Sequence, residues 1–105
     1  MTVNEQMAEL KINDFAKLIR DYRERKGFET SWNNMPTKLM LCVTELSEAM
    51  EAHRKNDIGN FNEEIADTMI RLMDITSSLG IDIETEIINK MAKNQGREFR
   101  HGKSY

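Results

Sequence analysis

The chain has one cysteine, one proline, five glycines and only two valines among its 105 residues. A lone Cys42 excludes an internal disulfide and any cysteine-rich metal site. Scarce valine, with no long stretch alternating apolar and polar residues, argues against a sheet. No apolar run approaches the ~18 residues of a membrane span, and no charged-then-apolar leader opens the chain. A cytoplasmic protein with no membrane partner is therefore expected. A net charge of −3 disfavours broad attraction to a nucleic acid backbone, so no stable nucleic acid complex is expected either. Nothing resembles a glycine-rich phosphate loop or a Ser-His-Asp set.

What is present is helical periodicity, in a length that suits one domain with a small core. The first segment, about residues 4 to 26, places Ile12, Phe15, Ala16, Ile19 and Tyr22 at helical spacing and stops at Gly27. A loop from Phe28 to Met35 follows, and Pro36 suits the first turn of the next helix. That second helix should run to about Lys55 with Leu39, Val43, Leu46 and Met50 as its apolar stripe. Asn56, Asp57 and Gly59 break it, and Asn60 followed by Glu63 reads as the cap of a third helix. The third stripe is Ile65, Met69, Leu72, Thr76 and Leu79, up to Gly80. Asp82 can cap a fourth helix carrying Ile83, Ile87 and Met91, ending at Gly96. The pattern predicts an all-α, four-helix bundle-like domain of antiparallel neighbours. With so thin a core, assembly into a homo-oligomer is expected.

Two acid pairs stand out, Glu45 with Glu48 and Glu64 with Asp67. A three-residue step leaves helical side chains about 60° apart in azimuth and about 4.5 Å apart along the axis, so each pair shares a face. Both pairs border the expected apolar stripes, and antiparallel packing would gather four carboxylates at one edge. Such a cluster repels itself unless a cation sits within it, and oxygen-only ligation favours Mg²⁺, with Mn²⁺ as an alternative. On solvated helices the same spacing is commonplace, and Glu51, Glu84 and Glu86 read as ordinary surface acids.

The basic residues gather elsewhere. Lys90, Asn94 and Arg97 share a helix face with Lys93 beside them, which suits either a solvated helix end or a phosphate chain. Trp32 precedes the second helix, placed to stack on a nucleobase or to plug the bundle end. Glu98 and His101 have the spacing of a di-iron motif, but only once and in the tail, which excludes that site. His53 reads as a surface residue, Cys42 and the eight methionines as core filler.

ELSE at 45–48, fifteen residues, then EIAD at 64–67 resembles the E-x-x-E…E-x-x-D signature of the MazG-like nucleoside triphosphate pyrophosphohydrolases. The similarity continues through LGIDIE at 79–84 and KMAKNQGREFRHGK at 90–103. This all-α superfamily also includes dimeric dUTPases, dCTP pyrophosphatases and phosphoribosyl-ATP pyrophosphohydrolases. The resemblance implies a homodimer or homotetramer and Mg²⁺-dependent hydrolysis of (deoxy)nucleoside triphosphates to the monophosphate and pyrophosphate, in housekeeping of the nucleotide pool. It implies Glu45, Glu48, Glu64 and Asp67 as metal ligands, with Lys90, Lys93, Asn94 and Arg97 on the triphosphate. Glu45 or Glu48 would accept the proton of the attacking water. Thr44 stands where many relatives carry a further acid, and Asp67 is followed by Thr-Met-Ile-Arg, unlike the phosphoribosyl-ATP enzymes. The rival reading of the same chain is a non-enzymatic helical dimerisation module whose acids are solvated.

Overall fold

The structure, a computed structural model, describes residues 11–96. Its elements are α1 (Ile12–Arg25), a 3₁₀ turn (Trp32–Asn34), α2 (Met35–Arg54), α3 (Ile58–Ser78) and α4 (Ile83–Gln95). No strand occurs among the described residues, so the all-α expectation holds. The expected helical residues 4–10, and the tail with Arg97 and His101, lie outside the described residues.

Local chemistry sets the helix ends. Asn56 adopts a left-handed φ of 56° after α2. Its N–H donates to the His53 carbonyl at 3.0 Å, and the Asp57 N–H donates to that of Ala52 at 2.9 Å. These two bonds satisfy carbonyls the helix would otherwise leave open. Gly80 does the same after α3, at a φ of 68° that costs a glycine nothing. The Gly80 and Ile81 N–H groups donate to Ser77 and Thr76 carbonyls at 3.2 and 2.8 Å.

The cap of α3 is Asp57, not Asn60. The Asp57 carboxylate accepts the Asn60 N–H at 3.1 Å, which makes Asn60 the third residue of the helix and puts Gly59 inside it. A carboxylate at the cap also complements the helix dipole, which the amide of Asn60 cannot do as well. Asp82 caps α4 as expected, accepting from the Thr85 N–H at 3.2 Å and its hydroxyl at 2.7 Å. Asn13 completes the junction: its amide donates to Asp82 at 2.8 Å, and its oxygen accepts the Ile83 N–H at 3.1 Å. These donors hold the Asp82 carboxyl below its ordinary range, Asn13 contributing most.

α3 is the central helix, lying along both α2 and α1, while α4 packs chiefly against α1. The buried core is small: Met35, Cys42 and Ile75 with Leu79 against them, and Ala16, Ala49 and Ala52 at the helix contacts. The expected stripe of α2 is not the packed one. Leu39, Val43, Leu46 and Met50 remain 48–57% exposed, and the buried residues are Met35, Cys42, Ala49 and Ala52. α2 is apolar on two adjacent faces, and the face with small side chains lets α3 approach closely. Ile65, Met69 and Leu72 of α3 are likewise exposed.

The inward face of α3 is instead rich in polar groups, with Glu64, Thr68, Arg71, Asp74 and Ser78 at steps of three and four. Asp74 and Thr68 are buried. Arg23 of α1 meets this spine, its Nε donating to both Asp74 oxygens at 3.0 and 3.2 Å. Its two terminal nitrogens donate to the Phe28 carbonyl at 2.8 Å and the Ser78 hydroxyl at 2.6 Å. Buried Thr30 donates its hydroxyl to Asp74 as well. One carboxylate thus ties α1, the loop and α3 together. Because the Arg23 and Asp74 side chains are only 15% and 10% exposed, Asp74→Ala should cost about 3–5 kcal/mol by stranding a guanidinium. Urea unfolding measures it; a loss under about 1 kcal/mol would contradict that role for the network.

Candidate functional site

The two acid-bearing helices pack together, and three of the four expected carboxylates meet. Glu45, Glu48 and Glu64 each present an oxygen within 4.8 Å of the others. Glu45 is largely covered, its side chain 12% exposed, because it lies on the inward face of α2 between the rows of Ala49 and Ala52. Glu48 lies outside that face and is exposed. Asp67 does not join the three; it is exposed and stands on the wall of an adjoining cavity. Thr44 turns its hydroxyl back onto its own helix, donating to the Met40 carbonyl at 3.1 Å.

Crowded acids need positive charge or a proton, and the site holds both. The Arg71 Nε donates to the Glu45 Oε1 at 3.1 Å, bridging α3 and α2. Glu64 keeps a proton far above the usual carboxylate range. Hydrogen bonds to Glu48 and Glu45 favour its protonated form, burial and both negative neighbours add to this, and its pKa is pushed up to about 8. That shared proton in turn, then Arg71, hold Glu45 below its ordinary value against the effect of burial. Among the described residues, the covered Glu64 Oε2 has no partner when all three acids are ionised. Burial raises the pKa of neighbouring Cys42 and keeps its thiol inert, with Arg71 opposing only in part.

The cavity beside the acids is about 530 Å³, within the usual ~300–1,000 Å³ of small-molecule sites. α2 contributes Lys38, Leu41 and Glu45, and α3 contributes Asp67, Ile70, Arg71 and Asp74. Ile19, Tyr22, Arg23 and Lys26 of α1 line it with Phe28 of the following loop. Glu45 therefore belongs to both the acid cluster and the cavity. An all-oxygen donor set with an orphaned oxygen fits a hard divalent cation, and the adjoining cationic wall fits an anion.

The basic residues singled out in the sequence are elsewhere. Lys90, Lys93 and Asn94 are exposed on α4 and do not line the cavity. Trp32 opens the 3₁₀ turn at 76% exposure, also outside the lining. The aromatics at the cavity are Tyr22, over which the Lys26 ammonium sits at 5.4 Å, and Phe28. Lys38 and Arg71 carried no motif. The available signal was their phase, Lys38 seven residues before Glu45 and Arg71 seven after Glu64, each two turns along the face of an acid.

Comparison with models of protein families, with curated proteins and with solved structures finds no match.

The pH dependence of the metal-free protein follows from Glu64. Its folded pKa, about 8, lies above the ordinary 4.5, so its contribution to stability is complete below the lower value and lost as pH rises through the higher. Without metal, the wild-type Tm should fall relative to that of Glu64→Gln across that interval. Glu64→Gln keeps a donor there without a proton to lose. Parallel Tm profiles for the two proteins in EDTA would rule out a shared proton.

Proposed function

We propose that the protein is a Mg²⁺-dependent, MazG-like nucleoside triphosphate pyrophosphohydrolase. Its products are a monophosphate and pyrophosphate, and its task is removal of unwanted or excess (deoxy)nucleotides. One observation carries this reading: Glu45, Glu48 and Glu64 converge from two helices within 4.8 Å beside a cavity walled by Lys38 and Arg71. The acids offer a place for a hard cation and Lys38 and Arg71 a place for an anion, and a metal-bound phosphate chain is a ligand that uses both halves.

Glu45, Glu48 and Glu64 would hold the ion, with Asp67 facing the substrate from the cavity wall. When bound, Mg²⁺ (or Mn²⁺) supplies charge neutralisation at the α-phosphate and makes water more acidic. Glu48 is the better-placed proton acceptor, since it is exposed, whereas Glu45 is tied to Arg71 and made less basic. Lys38 and Arg71 stabilise the charge that grows on departing pyrophosphate; the family resemblance gives the triphosphate to Lys90, Lys93, Asn94 and Arg97, of which the first three stand outside the cavity lining and Arg97 outside the described residues. Tyr22 and Phe28, not Trp32, are the aromatic surfaces beside that chain.

The protein acts as a homodimer or homotetramer. Among the described residues, Leu39, Val43, Leu46 and Met50 form an apolar row on α2 that is left half exposed, and a second copy is the economical cover. Light scattering at high micromolar concentration checks this; a well-folded monomer would overturn it.

The activity is tested with a panel of nucleoside triphosphates and Mg²⁺, following pyrophosphate and monophosphate. In ¹⁸O-enriched water the label should enter the monophosphate, because attack falls on the α-phosphorus. Glu48→Gln should lower kcat by about 10²–10⁴-fold without lowering the metal-free Tm, since it relieves repulsion. Release of orthophosphate with a diphosphate would mean attack at the γ-phosphorus and would overturn the assignment. A folded protein that turned over no nucleotide and gained no stability from Mg²⁺ would favour the helical interaction module.

A further inference from the structure

Arg71 occupies an unusual position between the two halves of the site. Its Nε is anchored on Glu45, a member of the acid cluster, at 3.1 Å. Its side chain also lines the cavity and remains 37% exposed, against 12% for Glu45. Among the described residues its two terminal nitrogens make no hydrogen bond. Compare Arg23, whose three nitrogens are all engaged with Asp74, Ser78 and the Phe28 carbonyl. Arg23 is spent on the fold. Arg71 is fixed at one end and free at the fork, which is how a guanidinium is presented to a phosphate.

The charge arithmetic adds a second role. Three converging carboxylates carry more negative charge than one arginine can balance, and a divalent cation placed among them would take up lone pairs of Glu45. Arg71 and such a cation then compete for Glu45 and repel each other. The competition weakens the anchor when the cluster is filled, leaving the guanidinium to the cavity.

We propose that Arg71 is a substitute cation in the empty site and an anion-binding fork in the loaded one, passing from Glu45 to a phosphate oxygen of the substrate. This rests on the metal and nucleotide reading given above, and it makes Arg71 a substrate-binding residue that no motif marks. It predicts opposite signs for one substitution in two binding measurements, a pattern that mere structural support would not produce.

Calorimetric titration of wild type, Arg71→Gln and Arg71→Lys tests it, first with Mn²⁺ alone and then with inorganic tripolyphosphate at saturating Mn²⁺. Tripolyphosphate probes the phosphate chain whatever base the site prefers. Arg71→Gln should bind Mn²⁺ about fivefold more tightly, a moderate figure because the pair is partly exposed. It should bind tripolyphosphate about tenfold more weakly or worse, the loss of a charge-assisted contact. Arg71→Lys keeps the charge but not the fork; it should bind Mn²⁺ like wild type and tripolyphosphate more weakly than wild type. Should Arg71→Gln fail to fold by circular dichroism, the Lys variant decides on tripolyphosphate. Tripolyphosphate affinity equal to wild type in the folded variants, or no gain in Mn²⁺ affinity for folded Arg71→Gln, overturns the inference alone. A wild type that takes up no Mn²⁺ overturns the metal reading beneath it as well.

Discussion

The molecule depends on charge balance along one helix face. α3 turns Glu64, Arg71, Asp74 and Ser78 toward its neighbours, the positions where a small bundle would ordinarily place leucine or isoleucine. Each ionised group there must find a partner, because an unpaired charge away from water costs several kcal/mol or about as much as the domain's net stability. The pairing proceeds turn by turn. Asp74 is matched by Arg23 of α1 and Arg71 by Glu45 of α2. The same ion pairs that fix the three helices relative to one another also shape the cavity between them. Fold and site are here one set of interactions.

The two ends of that face differ in how well they are satisfied. Asp74 receives hydrogen bonds from Arg23, Thr30 and Ser78, a closed arrangement with nothing left over. Around Glu64 the balance is incomplete: three acids converge, the one guanidinium beside them bonds only Glu45, and the acid neighbours push the Glu64 pKa up to about 8. A chain selected for stability alone would replace Glu64 by an amide or an aliphatic residue. Local charge imbalance beside well-satisfied surroundings is the usual signature of a group kept for something other than folding. The contrast lies within a single helix, one end met by Arg23 of α1 and the other by Glu45 of α2.

Much of this was legible in the amino-acid order, and the failures have physical reasons. Helix ends written in local chemistry came through: Gly27, Gly80 and Asp82 act within a few residues of themselves. The cap of α3 was misplaced because Asp57 and Asn60 are both competent caps, and only the hydrogen bond between them separates the roles. The acid pairs were legible because a three-residue step fixes a shared face, but their meeting depends on interhelical rotation. That rotation brings in Glu64 and leaves Asp67 on the cavity wall. Arg71 was passed over since an arginine amid apolar residues looks like a solvated one until the opposite helix supplies Glu45. Lys90, Lys93 and Asn94 share a face with each other, which suits a solvated helix end as well as a phosphate chain, and only the family resemblance puts them on the triphosphate. Nothing in a face says which helix it will meet, and α4 turns out to lie against α1.

The misread stripe of α2 follows from the same cause as the site. If the inward face of α3 is polar, the bulky apolar residues of the pair cannot all point inward, and the contact must be made by small ones. Ala49 and Ala52 are buried, while Leu46 and Met50 beside them are not. Small residues at a helix contact permit approach toward the lower end of the ~8–10 Å interaxial range, and Ala49 and Ala52 follow Glu45 by four and seven residues on the same side of α2. Among the described residues, the acid cluster and the buried alanines thus share one side of α2, and Leu39, Val43, Leu46 and Met50 are left half exposed beside it.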